Sequence, residues 1–152
     1  MGFTAAGISP STVTTTQQAP LGFELTVPDG DNGLQTWIYV YNDSGADLPV
    51  AKVATRKAGT ATYNIAAAGA INPAQAVGLS VYAIPNGSYG FLLRKGIGTA
   101  TSAGSVTANK GLVLVASGNV NNEAAVTGSA CGNTLAGRTG AGTLSVFVNC
   151  MG

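Results

Sequence analysis

Apolar and polar residues alternate along several short stretches of this chain, and a period of two predicts β-strands. The clearest runs over residues 34–42, LQTWIYVYN. There Trp37, Tyr39 and Tyr41 point one way, and Thr36, Ile38 and Val40 the other. A second signal predicts a hairpin over residues 76–98. Val77, Leu79, Val81 and Ala83 alternate with Gly78, Ser80, Tyr82 and Ile84, and Pro85-Asn86-Gly87-Ser88 supplies a turn. Asn-Gly tolerates the two positive φ angles of a type I′ turn. With Asn86 and Gly87 as the loop, Ile84 faces Tyr89, Tyr82 faces Phe91 and Val81 faces Leu92. Apolar pairs on both faces predict a strand pair covered on both sides.

The same reading gives a strand over residues 50–56, with Lys52 and Arg56 on its wet face, after a turn at 43–47. Residues 111–117, GLVLVAS, suit a short buried strand. In residues 143–150, TLSVFVNC, the side chains of Leu144, Val146, Val148 and Cys150 share a face. Residues 62–76 are ambiguous: the Ala run suits a short helix, and Gly69 and Pro73 limit it. Residues 118–142 are polar and Gly-rich, and predict loops with one or two weak strands. Many short strands between Gly- and Asn-containing turns, without a long amphipathic helix, predict an all-β fold. Its form would be a compact β-sandwich or small β-barrel.

Residues 1–33 read differently. They hold Pro10, Pro20 and Pro28, a Thr/Gln tract, and the widely spaced apolar residues Phe3, Ile8, Val13 and Leu21. Phe23, Leu25 and Val27 alternate, so a short strand can precede Pro28. The division predicted is an extended N-terminal arm, 1–33, and a single β domain, 34–152. The arm is expected to dock on another surface through Phe3, Ile8, Val13, Leu21 and Phe23, and to add little to folding. In the domain, Trp37, Tyr39, Tyr82 and Phe91 are expected to anchor the core, because large aromatics at strand period dominate local burial.

Composition sharpens this picture. Only 9% of the 152 residues are charged, against roughly 25% in an average soluble protein. A surface so poor in charge suits contact with other protein. The net charge is +1, and the seven basic residues are scattered, so the electrostatic footprint of nucleic-acid binding is missing. No apolar run approaches the ~20 residues that span a bilayer. The first residues, MGFTAAGISPSTV, lack the basic and apolar regions of a signal peptide, so a soluble, untargeted chain without membrane contact is expected. Cys131 and Cys150 could bridge the C-terminal hairpin; without an export signal, free thiols are the expectation.

Candidate chemistry is sparse. The chain has no histidine, which removes Ser-His-Asp and Cys-His catalysis and His-based metal sites. Its acids, Glu24, Asp29, Asp31, Asp43, Asp47 and Glu123, fall mostly in turns, where Asp bonds nearby backbone amides. Asp29-Gly30-Asp31-Asn32-Gly33 hints at calcium, but an EF-hand loop would need its glycine at Leu34 and its Glu at Val40. The Gly-rich stretches lack the Gly-Lys-Ser/Thr of a phosphate loop. No enzyme and no cofactor are expected.

Several pieces together resemble the decoration (cement) proteins of tailed bacteriophage capsids. They are the aromatic strand at 36–40, VGLSV at 77–81, NGSYGF at 86–91, Arg94-Lys95-Gly96, the stretch at 104–114, and GTLSVFV at 142–148. The resemblance implies a compact, β-rich, often trimeric protein without catalytic residues. It would be made in the host bacterial cytoplasm and would bind the outside of the capsid, with the major capsid protein as partner. The arm residues would then be capsid contacts. A different reading is a receptor- or glycan-binding module of a phage fibre or bacterial surface, with Tyr39, Tyr41, Tyr82 and Tyr89 stacking on sugars. A pilin is a weaker match, since the long N-terminal apolar helix of many pilins is missing.

Overall fold

The aromatic strand is the centre of the fold because both of its faces find something to cover them. In the computed structural model, which describes residues 7–57, 59, 62–66, 75–122 and 131–150, it is β2, Leu34–Asn42. Before it lies β1, Glu24–Pro28; after it come β3, Val53–Arg56, β4, Asn64–Ala66, β5, Ala76–Leu79, and the long β6, Ser88–Ser102. Then follow β7, Leu112–Leu114, β8, Val120–Asn122, β9, Gly132–Thr134, and β10, Gly142–Asn149. Among the described residues helical structure is confined to 3-10 turns, at Gly30–Asn32 and Ala116–Gly118 and at Gln75. The all-β expectation holds.

The pairings close a ring. β2 pairs β4 in parallel, β4 pairs β3, β3 pairs β5, β5 meets β6 at Leu79–Leu93, and β6 returns to β2 over seven antiparallel partners. The fold is therefore built on a small closed barrel, which removes edges that would otherwise invite pairing. Ile38, Val40, Ala54, Ile65, Val77 and Leu92 form one buried cluster with Leu48 and Ile84, which an isolated bridge joins. Trp37, Tyr39, Phe91 and Leu93, which alternate with the first set on β2 and β6, belong with Leu79 of β5 to a second cluster outside the ring. Covering both faces makes β2 almost continuously apolar, as in sheets buried on both sides.

The second cluster is covered by two additions. β6 pairs β2 no further than Lys95, and from Lys95 to Ser102 it pairs β10, which in turn pairs β9. Arg94 is the extra residue of a bulge between the pairs Thr36–Lys95 and Trp37–Leu93, and bulges bend the strand that carries them. Leu144, Val146 and Val148 of β10 turn inward, as the period of two predicts. Gly132 is required where β9 meets β10: a Cβ there would lie 1.9 Å from the Phe147 carbonyl oxygen.

The other cover is the N-terminal stretch, and here the arm expectation is corrected. β1 pairs β2 along its whole length, from Glu24–Ile38 to Pro28–Leu34, and Leu25 and Val27 are buried in the outer cluster. Upstream, Ile8 is only 7% exposed in that same cluster. Thr14 exchanges backbone hydrogen bonds with Tyr89, Gln18 N–H donates to the Tyr39 hydroxyl at 3.0 Å, and Gly22 N–H donates to the Tyr39 carbonyl at 2.8 Å. Residues 8–28 thus lie on the protein's own barrel. The apolar outer face of β2 and β6 takes up spaced apolar residues that the sequence left without a partner.

The hairpin is also corrected. β5 ends at Leu79, and residues 80–84 pair with residues 48–52 instead of with β6. Ser80 exchanges backbone bonds with Ala51 and Lys52, and Ile84 with Leu48. Tyr89, Phe91 and Leu92 take Tyr41, Tyr39 and Ile38 as partners in place of Ile84, Tyr82 and Val81. The turn closes with Ser88 N–H on the Pro85 carbonyl, and only Gly87 has positive φ, at 77°. That is the pattern of a type II turn, with no demand on Asn86. Of the ambiguous segment, Asn64–Ala66 is strand; the Ala-run helix considered for it falls outside the described residues.

Candidate binding surface

Aromatic side chains at alternate positions of β2 and β6 stack into a ladder. Phe91 and Tyr39 have centroids 5.0 Å apart, Tyr39 and Tyr89 6.0 Å, and Tyr89 and Tyr41 4.6 Å. Cross-strand aromatic pairs of this kind favour one register over its neighbours. Tyr39 and Phe91 are fully buried, and Trp37 is 3% exposed, so three of the four expected core anchors are core. Tyr82 is the exception. It lies in the loop after β5, 39% exposed, because the chain leaves the strand at Leu79 and turns toward residues 48–52.

Tyr82 stacks on Trp37, with centroids 6.1 Å apart and planes 28° from parallel. The two rings line a groove of about 590 Å³. Its walls come from separate parts of the chain. The β1–β2 turn gives Asp29, β2 gives Gln35 and Trp37, the loop after β5 gives Val81 and Tyr82, and β6 and β10 give Thr99 and Thr143. Gln35 Nε2 donates to Asp29 Oδ2 at 3.1 Å, and Asn32 Nδ2 donates to the same oxygen at 3.3 Å, which fixes the carboxylate at the rim. Trp37 Nε1 is buried and has no acceptor among the described residues. The sequence did single out Trp37 and Tyr82, but as core; the signal it lacked was the end of β5 at Leu79.

Of the expected arm contacts, Phe3 lies outside the described residues. Ile8 is buried, and Leu21 and Phe23 are half-buried against the outer cluster. Val13 is half-buried close to Gly90. The four described side chains, Ile8, Val13, Leu21 and Phe23, do not form a free contact surface. The large apolar residues that remain exposed lie elsewhere: Leu34 at 64%, Val50 at 54%, and Leu135 and Tyr82 at about two-fifths each.

Part of the charge on the described residues is paired. Lys57 meets Asp43 at 3.0 Å, Arg94 meets Glu24, and the Arg56 guanidinium sits 4.4 Å over the Tyr63 ring. Among the described residues no three His, Cys, Asp or Glu side chains gather closely enough to hold a metal ion, and no helix is long and apolar enough to cross a membrane. Cys131 and Cys150 are free and buried. Burial pushes the Cys131 thiol up to about 11, against a smaller lowering by a backbone hydrogen bond. Burial, then the neighbouring Cys131, push Cys150 up as well, and Arg94 pulls it part of the way back.

No protein-family model matches this chain, and no curated protein matches it in sequence. The fold does have a counterpart among solved structures. It is similar to the N base of head fiber gp8.5 of bacteriophage phi29, with a TM-score of 0.57 at 6% identity. The similarity covers 78% of this chain and 98% of that one. At such low identity what is shared is the fold.

Proposed function

We propose that this protein is a structural component of a bacteriophage virion that binds the outer surface of the capsid and stabilises it by bridging capsid subunits. The observation that carries the reading is the fold similarity to the head fiber base, which spans nearly the whole of that structure. A likeness to the base of a phage head fiber supports a place on the virion, and a chain with only 9% charged residues suits contact with other protein. The partner in this reading is the major capsid protein. The protein acts as a homo-oligomer, a trimer by resemblance to decoration proteins, and performs no catalysis.

Because residues 8–28 lie on the protein's own barrel, the shell contact in this reading falls on the body of the domain. Leu34, Val50 and Leu135 are the candidates, since each exposes an apolar side chain that contact with a second protein would bury. Binding only the assembled lattice stabilises that lattice by mass action, and many copies per shell make a modest affinity per copy sufficient. Sedimentation of the protein with empty expanded capsids tests the assignment. The expected result is saturable association at a fixed ratio to capsid subunits, weakened by Leu34→Asp or Val50→Asp. Protein that stays in the supernatant at all ratios overturns it.

A further inference from the structure

We propose that the groove beside Trp37 and Tyr82 is a carbohydrate-binding site that takes a neutral, pyranose-containing glycan. The proposal does not rest on the capsid reading. A pyranose ring is amphipathic: C–H groups make an apolar face, and hydroxyls project around its rim. A site for it needs an exposed aromatic platform flanked by planar polar groups and hydroxyls at the rim, and specific sites combine apolar surface with a few placed polar groups in this way.

The groove has these parts. Tyr82 exposes part of its ring, and the stack on Trp37 holds that ring in place, so ordering the platform costs little on binding. Asp29 and Gln35 lie on the wall from the β1–β2 turn, already fixed by their mutual hydrogen bond. Both amide hydrogens of Gln35 are taken, by Asp29 Oδ2 and the Ile97 carbonyl, so its amide oxygen and the second carboxylate oxygen of Asp29 are left to accept from two neighbouring hydroxyls. Thr99 of β6 and Thr143 of β10 also line the groove, and both are residues with a side-chain hydroxyl. Trp37 lines the same groove behind Tyr82 and backs its ring.

The lining also excludes other occupants. Asp29 is its only charged residue, so a phosphate or other anion meets repulsion and no compensating Lys or Arg. A purely apolar ligand would strand the polar groups of the lining. The volume, about 590 Å³, lies within the roughly 300–1,000 Å³ of small-ligand sites.

Trp37 is the only tryptophan, so its fluorescence reports on the groove alone. The full chain is titrated separately with maltotriose, cellotriose and chitotriose. The expected result is a saturable change in Trp37 emission with at least one of them. Tyr82→Ala should weaken that binding by about tenfold or more, and Tyr82→Phe should nearly preserve it, because the platform is the ring and not its hydroxyl. Gln35→Ala and Asp29→Asn should weaken it too, and melting curves check that each variant is folded. No emission change with any of the three trisaccharides overturns the proposal, as does unchanged affinity in folded Tyr82→Ala. Loss of capsid sedimentation in Tyr82→Ala with no saccharide binding in the parent would show a protein contact instead, and also overturns it.

Discussion

Thr14 and Tyr89 exchange a pair of backbone hydrogen bonds, 3.1 and 2.8 Å long, and so fasten the N-terminal stretch to the longest strand of the barrel. The consequence is for folding. A chain that starts at Leu34 loses this bridge, all of β1, and the buried side chains of Ile8, Leu25 and Val27. Truncating one such side chain costs about 2–5 kcal/mol, and a whole domain is stable by only about 5–15 kcal/mol. The shortened protein is expected to show no cooperative thermal unfolding by circular dichroism. A melting curve like that of the full chain would mean that residues 8–28 are a dispensable arm.

The turn at Asn86 and Gly87 gives a second prediction. A single positive φ, at Gly87, means the two residues have unequal burdens. Gly87→Val has open space around its Cβ but forces a β-branched residue into the left-handed region, a cost of about 1–3 kcal/mol. Asn86→Ala forfeits only the acceptor for Gly45 N–H, at about 1 kcal/mol. Urea unfolding of the two variants checks the order. If Asn86→Ala costs as much as Gly87→Val, backbone conformation is constrained at both positions, as in a type I′ turn.

These corrections show where the sequence was legible. The alternation in β2 and β10 survives as strands with the expected inward residues, because each lies against apolar neighbours along its length. The hairpin register failed for a physical reason. Residues 80–84 continue the alternation of β5, yet Ser80 and Ile84 find backbone partners in residues 48–52, and the aromatic ladder of β2 claims Tyr89 and Phe91. Both pairings join segments far apart in the chain, and a period of two carries no information about which distant strand will win. The same limit put Tyr82 in the core and Ile8 outside it. The groove depends on five separated segments and so had no local signature.

The two thiols give a pH prediction. Both have folded-state values raised above the usual 9.0, so the folded protein holds their protons more tightly than the unfolded chain. Stability from this source is complete below about pH 9 and is lost as the pH climbs through about 11. The urea midpoint of the parent should fall over that window more than that of a Cys131→Ala/Cys150→Ala variant. Near pH 8 a thiol reagent should label neither cysteine in the folded protein and both in urea, since the thiolate is the reactive form. Rapid labelling without urea would place the thiols at the surface.

Heating expanded capsids with and without the protein, and following release of their contents, tests the central claim most directly. If each copy bridges capsid subunits, rupture must also break those contacts. The release temperature should then rise with added protein and level off once the sites are full. A release temperature that stays the same while the protein is demonstrably bound would contradict stabilisation by bridging.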